Sequence, residues 1–283
     1  MEEKWIATWG TAMLTAGMEQ TPMNPGLKDS TVRQQIRVSV GGDRIRLVLS
    51  NEYGERDLEI NKITVAKLSD PSSSAIDVST IAGLTLNGEG SFVVPAGQRI
   101  TTDELDFPFD PLDDIAVTME LGSIPSTLTS HTASRCSTWI VSGERACDES
   151  FESYEEMTAW YFITELDVMA SGDSGVIVCF GDSLTDGASV TTNGFARYTD
   201  QLARRLREDD KLNNLAVVNM GIGATALYRY GGDIAGTVRA DRDILGVPGV
   251  KYVVLFMGVN DIGGAESDIS EELISHYLSL IHI

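Results

Sequence analysis

Gly175 to Gly187 reads GVIVCFGDSLTDG. The apolar run VIVCF has the length and valine content of a fully buried strand. It stops abruptly at Gly181, Asp182 and Ser183. Those three residues form ordinary turns. They also suit a second purpose, in which a rigid strand holds a serine hydroxyl at the mouth of a cleft.

Two later runs share this design: LAVVNM (Leu215–Met220) and KYVVLFMG (Lys251–Gly258). Between the first two strands lies GFARYTDQLARRLREDD, where Phe195, Tyr198, Leu202 and Leu206 fall near helical spacing. Strand, helix and strand in alternation predict parallel pairing and an α/β domain over 175–283. In open sheets of this kind functional residues gather at the carboxyl ends of the strands. Here those ends are FGDSLTDG, NMGIGA and FMGVNDIG, each with glycines and one hydrogen-bonding side chain.

Before Met169 the period is different. In TVRQQIRVSVGGDRIRLVLSNEYG (Thr31–Gly54) the residues Ile36, Val38 and Val40 share one face, and Ile45, Leu47 and Leu49 resume it after GGD. That pattern predicts two strands joined as a hairpin. Alternation recurs at ITVAKL, SFVV and DIAVTMEL, punctuated by SDPSSS, LNGEG and FPFDPLDD. Many short strands with Gly/Pro turns predict an antiparallel, jelly-roll-like β-sandwich over residues 1–168. MASGDSG (Met169–Gly175) reads as the linker between the two domains. All four tryptophans lie in the first domain, either as core or as a surface that stacks on sugar rings. His131, alone among Ser and Thr, reads as a hydrogen-bonded structural residue.

Composition narrows the partners. The 283 residues carry a formal net charge of −21, which disfavours nucleic acid and other polyphosphates. No apolar run is long enough for a membrane span. The start, MEEKWIATWG, has neither the basic nor the apolar region of a secretory signal. The expected setting is cytoplasmic, or secreted if an N-terminal segment is missing. Cys136, Cys147 and Cys179 make no metal or redox spacing, and Cys179 reads as a small core residue. No metal-ligand cluster is visible.

The three blocks together resemble the SGNH, or GDSL-type, hydrolases: GDSLTDG matches the family's first block, NMGIGA its glycine block and GVNDIG its Asn block. TVRQQIRVSVGGDRIRLVLSNEYG and WYFITELDVMA are similar to a bacterial carbohydrate-esterase branch with an N-terminal β-domain, associated with deacetylating plant polysaccharides and oligosaccharides. The resemblance implies a partial three-layer α/β/α (flavodoxin-like) second domain. It implies Ser183 as nucleophile and oxyanion donor, and the Asn260 amide as a further donor. The partner implied is a small-molecule or oligosaccharide ester, and the mechanism needs no cofactor. Lipase or thioesterase activity of the same family is the alternative, as is a carbohydrate-binding protein with a vestigial hydrolase domain.

Two departures stand out. The position expected for the oxyanion glycine, five after Asn219, holds Ala224, with Gly223 just before it. Alanine tolerates positive φ poorly, so either φ there is negative or Gly223 supplies the N–H. The family's late Asp-x-x-His block is also missing. His131, His276 and His282 are preceded at three residues by Leu128, Leu273 and Ser279. The resemblance therefore predicts a chain truncated before its catalytic base and nearly inactive. EELISHYLSLIHI reads as an amphipathic helix.

Overall fold

The computed structural model describes residues 2–228, 234–263 and 275. The first part of the chain is strand-rich and antiparallel. One sheet is built from Glu3–Gly10, Ile163–Ser171, Gly42–Ser50 and Arg99–Thr101 in that order, with Leu105–Phe109 also on Gly42–Ser50. A larger sheet runs Glu155–Met157, Thr138–Ser142, Ser30–Arg37, Asp114–Leu121, Leu58–Lys67 and Ala82–Gly83. Both sheets send their apolar faces into one core, where Ile36, Ile45, Leu47, Val65, Val117 and Leu166 are fully buried.

The hairpin expected from Thr31–Gly54 is not formed. Ser30–Arg37 pairs with Asp114–Leu121 and Thr138–Ser142, whereas Gly42–Ser50 pairs with strands of the other sheet. The chain crosses from one sheet to the other through Val38–Gly41. Alternation names the buried face of a strand but not its hydrogen-bonding neighbour. Two strands with matching apolar faces satisfy it equally well side by side or across a core.

The linker is also shorter than expected. Met169, Ala170 and Ser171 belong to a strand, registered against Trp5, Lys4 and Glu3. Only Gly172–Ser174 separates that strand from the next.

From there the pairing turns parallel. Gly175–Gly181 lies between Leu215–Gly221 and Val250–Phe256, with Val178 opposite both Val218 and Val253. Side-chain alternation divides Gly175–Gly181 and Leu215–Gly221 between two cores. Tyr252 to Phe256 of the third strand, expected from their apolar run to be buried, are instead exposed among the described residues. An apolar run marks a strand, but burial needs a layer packed on it. Ile177, Cys179, Leu215 and Val217 face the helix Tyr198–Arg207, which buries Ala203 and Leu206 against them. Phe195 precedes that helix and stacks under Arg37 at 3.5 Å. On the other face Val176, Val178, Phe180, Ala216 and Met220 join the core of the N-terminal sheets. The second part is thus packed onto the first: Ala7 N–H donates to Pro248 O (3.1 Å) and Val217 N–H to Ser39 Oγ (3.0 Å).

Cys136 and Cys179 are buried, and burial pushes both thiols up to about 12. No described helix is long and apolar enough to cross a membrane. Apart from Ser275, the helix expected over EELISHYLSLIHI falls outside the described residues.

Candidate active site

The turn expected at GDS is formed, and it places Ser183 at its head. Asp182 caps a single helical turn, Ser183–Asp186, its carboxylate accepting the Leu184 N–H at 3.0 Å. Gly187 closes that turn with φ +101°, a conformation that favours glycine. Ser183 is left half-buried at the head of the turn, beside an exposed Leu184. Its carbonyl accepts Gly187 N–H (3.0 Å) and Ala188 N–H (2.8 Å). Its hydroxyl and its own N–H have no partner among the described residues.

The glycine block is anchored to this turn. Asn219 Nδ2 donates to Thr185 O at 2.7 Å, and Gly221 N–H donates back to Asn219 Oδ1 at 2.9 Å. A Cβ on Gly221 would stand 2.3 Å from Asp186 N, so only glycine lets the loop backbone pass. Beyond it, Gly223 N–H donates to Asp186 Oδ2 at 3.1 Å. Neither alternative drawn from the sequence is met as stated. Ala224 does take positive φ, +61°, and the Gly223 N–H is committed to Asp186. The Ala224 N–H has no acceptor among the described residues.

The Asn block holds the loop from the other side. Asn260 Nδ2 donates to Thr225 O at 2.8 Å, which leaves its second amide hydrogen for another acceptor. Its neighbour Asp261 is fully buried and accepts Leu227 N–H (2.8 Å) and Tyr228 N–H (3.1 Å). Ser183, Gly223, Ala224 and Asn260 therefore belong to one hydrogen-bonded group of loops. Asp186 and Asp261, which fasten it, were missed in the sequence. Each lies within three residues of a motif residue, in GDSLTDG and GVNDIG, and that proximity is their only signal.

Holding an alanine in the left-handed region costs about 1–2 kcal/mol. Ala224→Gly is expected to raise stability by about 1 kcal/mol, a gain of a few degrees in Tm. Thermal unfolding of the two chains checks it, and an unchanged or lower Tm would contradict the strain.

His131 is structural. It is buried on the strand Leu128–His131, with Nδ1 2.8 Å from Ala12 O and Nε2 3.0 Å from Asp186 Oδ1. Both nitrogens are taken, and neither by Ser183. Asp186 thus joins the N-terminal part to the turn Ser183–Asp186, and Arg197 Nε adds a bond to its carbonyl at 2.7 Å. Behind it lies a cavity of about 60 Å³, lined in part by Trp9, His131, Trp160 and Arg197. Ligand sites measure roughly 300 Å³ and upward, so it has room for a few waters and no sugar. No group of described residues could hold a metal ion.

A serine at the end of the central parallel strand, a glycine loop on one neighbour and Asn-Asp on the other define the class. Residues 179–281 match the GDSL-like Lipase/Acylhydrolase family. That part of the chain is a GDSL-like domain. Among solved structures, AlinE4, an SGNH-hydrolase family esterase, is 25% identical over 34% of this chain and 47% of its own, with a TM-score of 0.28. The present chain thus spans about half the length of that esterase. A carbohydrate esterase family 2 enzyme plus carbohydrate binding domain from Corynascus thermopiles (Myceliophthora fergusii) is 13% identical, covering 96% of this chain and 73% of that one, TM-score 0.30. A family two carbohydrate esterase from Cellvibrio japonicus is 14% identical over 94% and 70%, TM-score 0.24. No curated protein matches the chain.

Proposed function

We propose that the chain is a serine ester hydrolase of the SGNH type that removes acetyl groups from plant poly- or oligosaccharides. One observation carries the reading. The hydroxyl and N–H of Ser183, the N–H of Ala224 and one amide hydrogen of Asn260 have no partner among the described residues, within a group of loops tied together by the Asn219, Asp186, Asn260 and Asp261 side chains. In this reading Ser183 Oγ attacks the acyl carbon and the three donors receive the oxyanion. The sugar alkoxide leaves with a proton, and water then cleaves the acetyl-serine. Two antiparallel sheets on one core support reading residues 1–168 as the jelly-roll-like β-sandwich. The parallel sheet supports reading 175–283 as the α/β/α hydrolase domain. The carbohydrate-binding alternative loses its platform, because Trp9, Trp139 and Trp160 are buried and Trp5 is half-buried beneath Arg46.

No described residue takes the serine proton. His131 is engaged elsewhere, and His276 and His282 lie outside the described residues. We therefore propose slow turnover by residues 1–283 at neutral pH, with hydroxide as the base. Comparison of acetylated xylan with long-chain acyl esters tests the substrate class, and acetyl release is expected to dominate. The rate should climb about tenfold per pH unit from 7 to 9, as hydroxide does. A plateau above neutrality would show that an imidazole serves instead.

Asn260→Ala removes a donor that acts only once charge develops on the carbonyl oxygen. It is expected to lower the rate constant of ester cleavage by about 10²–10³ and to leave the half-saturation concentration within twofold. An effect on half-saturation alone would reassign Asn260 to substrate binding.

A further inference from the structure

Arg239, on the short helix Gly236–Ala240, is 2% exposed, yet all of its guanidinium nitrogens are bonded. Nη1 donates to Met220 O at 2.7 Å, and Nη2 donates to Gly181 O at 2.8 Å. Nε donates to Ile234 O at 3.2 Å, and Asp243 Oδ2 accepts from Nη1 at 3.0 Å. The guanidinium lies over the Phe180 ring, 4.0 Å from its centroid.

The two carbonyls close the ends of adjacent parallel strands, where Phe180 is registered with Met220 and Gly181 with Gly221. Ser183 follows Gly181 by two residues, and Ala224 follows Met220 by four. Gly181 O also accepts the Ile222 N–H at 3.1 Å. One buried cation therefore ties the strand end that carries the nucleophile to the strand end that carries the glycine loop. Its own orientation is fixed from behind. Asp243 is gripped by Arg242 (2.6 and 3.1 Å), and Arg242 donates to Tyr53 Oη (3.0 Å) and Met13 O (2.9 Å) in the N-terminal part.

We propose that Arg239 is a positioning residue for the ester hydrolysis inferred above, setting the separation of the Ser183 and Ala224 N–H groups without touching substrate. The proposal rests on that functional reading. The physical reason is geometric. Oxyanion donors act only within about 0.5 Å of the productive position, and a misplacement of about 1 Å costs on the order of a hundredfold in rate. A planar fork that spans two carbonyls and a carboxylate while stacked on a ring supplies that fixity. A lysine ammonium, a point donor on a flexible stem, does not.

The test uses the full chain and Arg239→Lys, with p-nitrophenyl acetate as the probe. Read-outs are the rate of acetyl transfer to Ser183, its dependence on ester concentration, and amide hydrogen exchange over 181–185 and 221–224. For Arg239→Lys the acetylation rate constant should fall about a hundredfold, with half-saturation within twofold and exchange faster at both loops. If Arg239→Lys does not fold, Asp243→Asn, which keeps the guanidinium but loosens it, is read the same way and should lose about tenfold. Wild-type acetylation rates and exchange in these variants would overturn the proposal. A wild-type chain whose Ser183 takes no acetyl group would overturn the functional reading, and with it any catalytic role for Arg239. In that case faster loop exchange would leave Arg239 a structural clamp alone.

Discussion

Incubated with p-nitrophenyl acetate at pH 9, the chain is expected to take up one acetyl group, on Ser183, and to release a matching burst of p-nitrophenol. Ser183→Ala should take up none and lose the burst, while folding as before. The reason lies in the leaving groups. Acylation expels a stabilised phenolate, whereas deacylation must expel the serine alkoxide, so the acetyl-enzyme accumulates. On the proposed reading, with hydroxide as the base, the slower step is the second. The substitution itself is mild, because the serine hydroxyl bonds to nothing among the described residues. Peptide mapping by mass spectrometry reads the result. An acetyl group on another residue, or an undiminished burst in Ser183→Ala, would remove Ser183 from its role.

Glu165→Gln is expected to stabilise the protein, and increasingly so toward alkaline pH. Glu165 is 4% exposed on the strand Ile163–Ser171, and its Oε2 has no hydrogen-bond partner among the described residues. Burial, then the charge of Asp167, pushes its carboxyl up to about 8, with Asp243 adding to the rise and Arg99 and Arg46 opposing it. The folded chain thus binds this proton more tightly than the unfolded chain, whose carboxyl titrates near the ordinary 4.5. Between those two values the unfolded state is ionised and the folded state is not. Stability therefore falls as pH rises through this window and levels off above about 8. At roughly 1.4 kcal/mol per pH unit the loss amounts to several kcal/mol. Glutamine does not titrate, so its Tm advantage should be small near pH 5 and reach about 5–10 °C at pH 8 and above. Thermal unfolding of both chains from pH 5 to 9 decides it. A constant difference would mean that Glu165 ionises at its ordinary pH in the folded protein.

The clustering of Glu165 with Asp167, Arg46, Arg99 and Asp243 belongs to the same seam that carries Arg242 and Arg239. Charged groups are thus concentrated where the N-terminal sheets meet the parallel sheet. None of this was visible as a pattern along the chain. Glu165 and Asp167 occupy positions on a strand whose alternation reads simply as polar and outward, and only the packing of a second sheet buries them.

The residues alone determined that Gly175–Gly181 and Leu215–Gly221 are buried strands, that Val250–Phe256 is a strand beside them, and that Ser183, Ala224 and Asn260 follow their ends. Those features are local: an apolar run marks a strand, and Gly or Asp sets the stop. The tertiary structure decided what depends on partners far along the chain. Ser30–Arg37 and Gly42–Ser50 lie in different sheets because alternation specifies a face and not a neighbour. His131 meets Asp186 from 55 residues away. Two polar residues, each alone in its own segment, leave no periodic trace of a contact. Arg239 binds backbone carbonyls, which every residue possesses and no sequence marks. Ala224 sits at positive φ because Gly223 is held by Asp186 and Thr225 by Asn260. Those flanking bonds outweigh the preference of a single alanine.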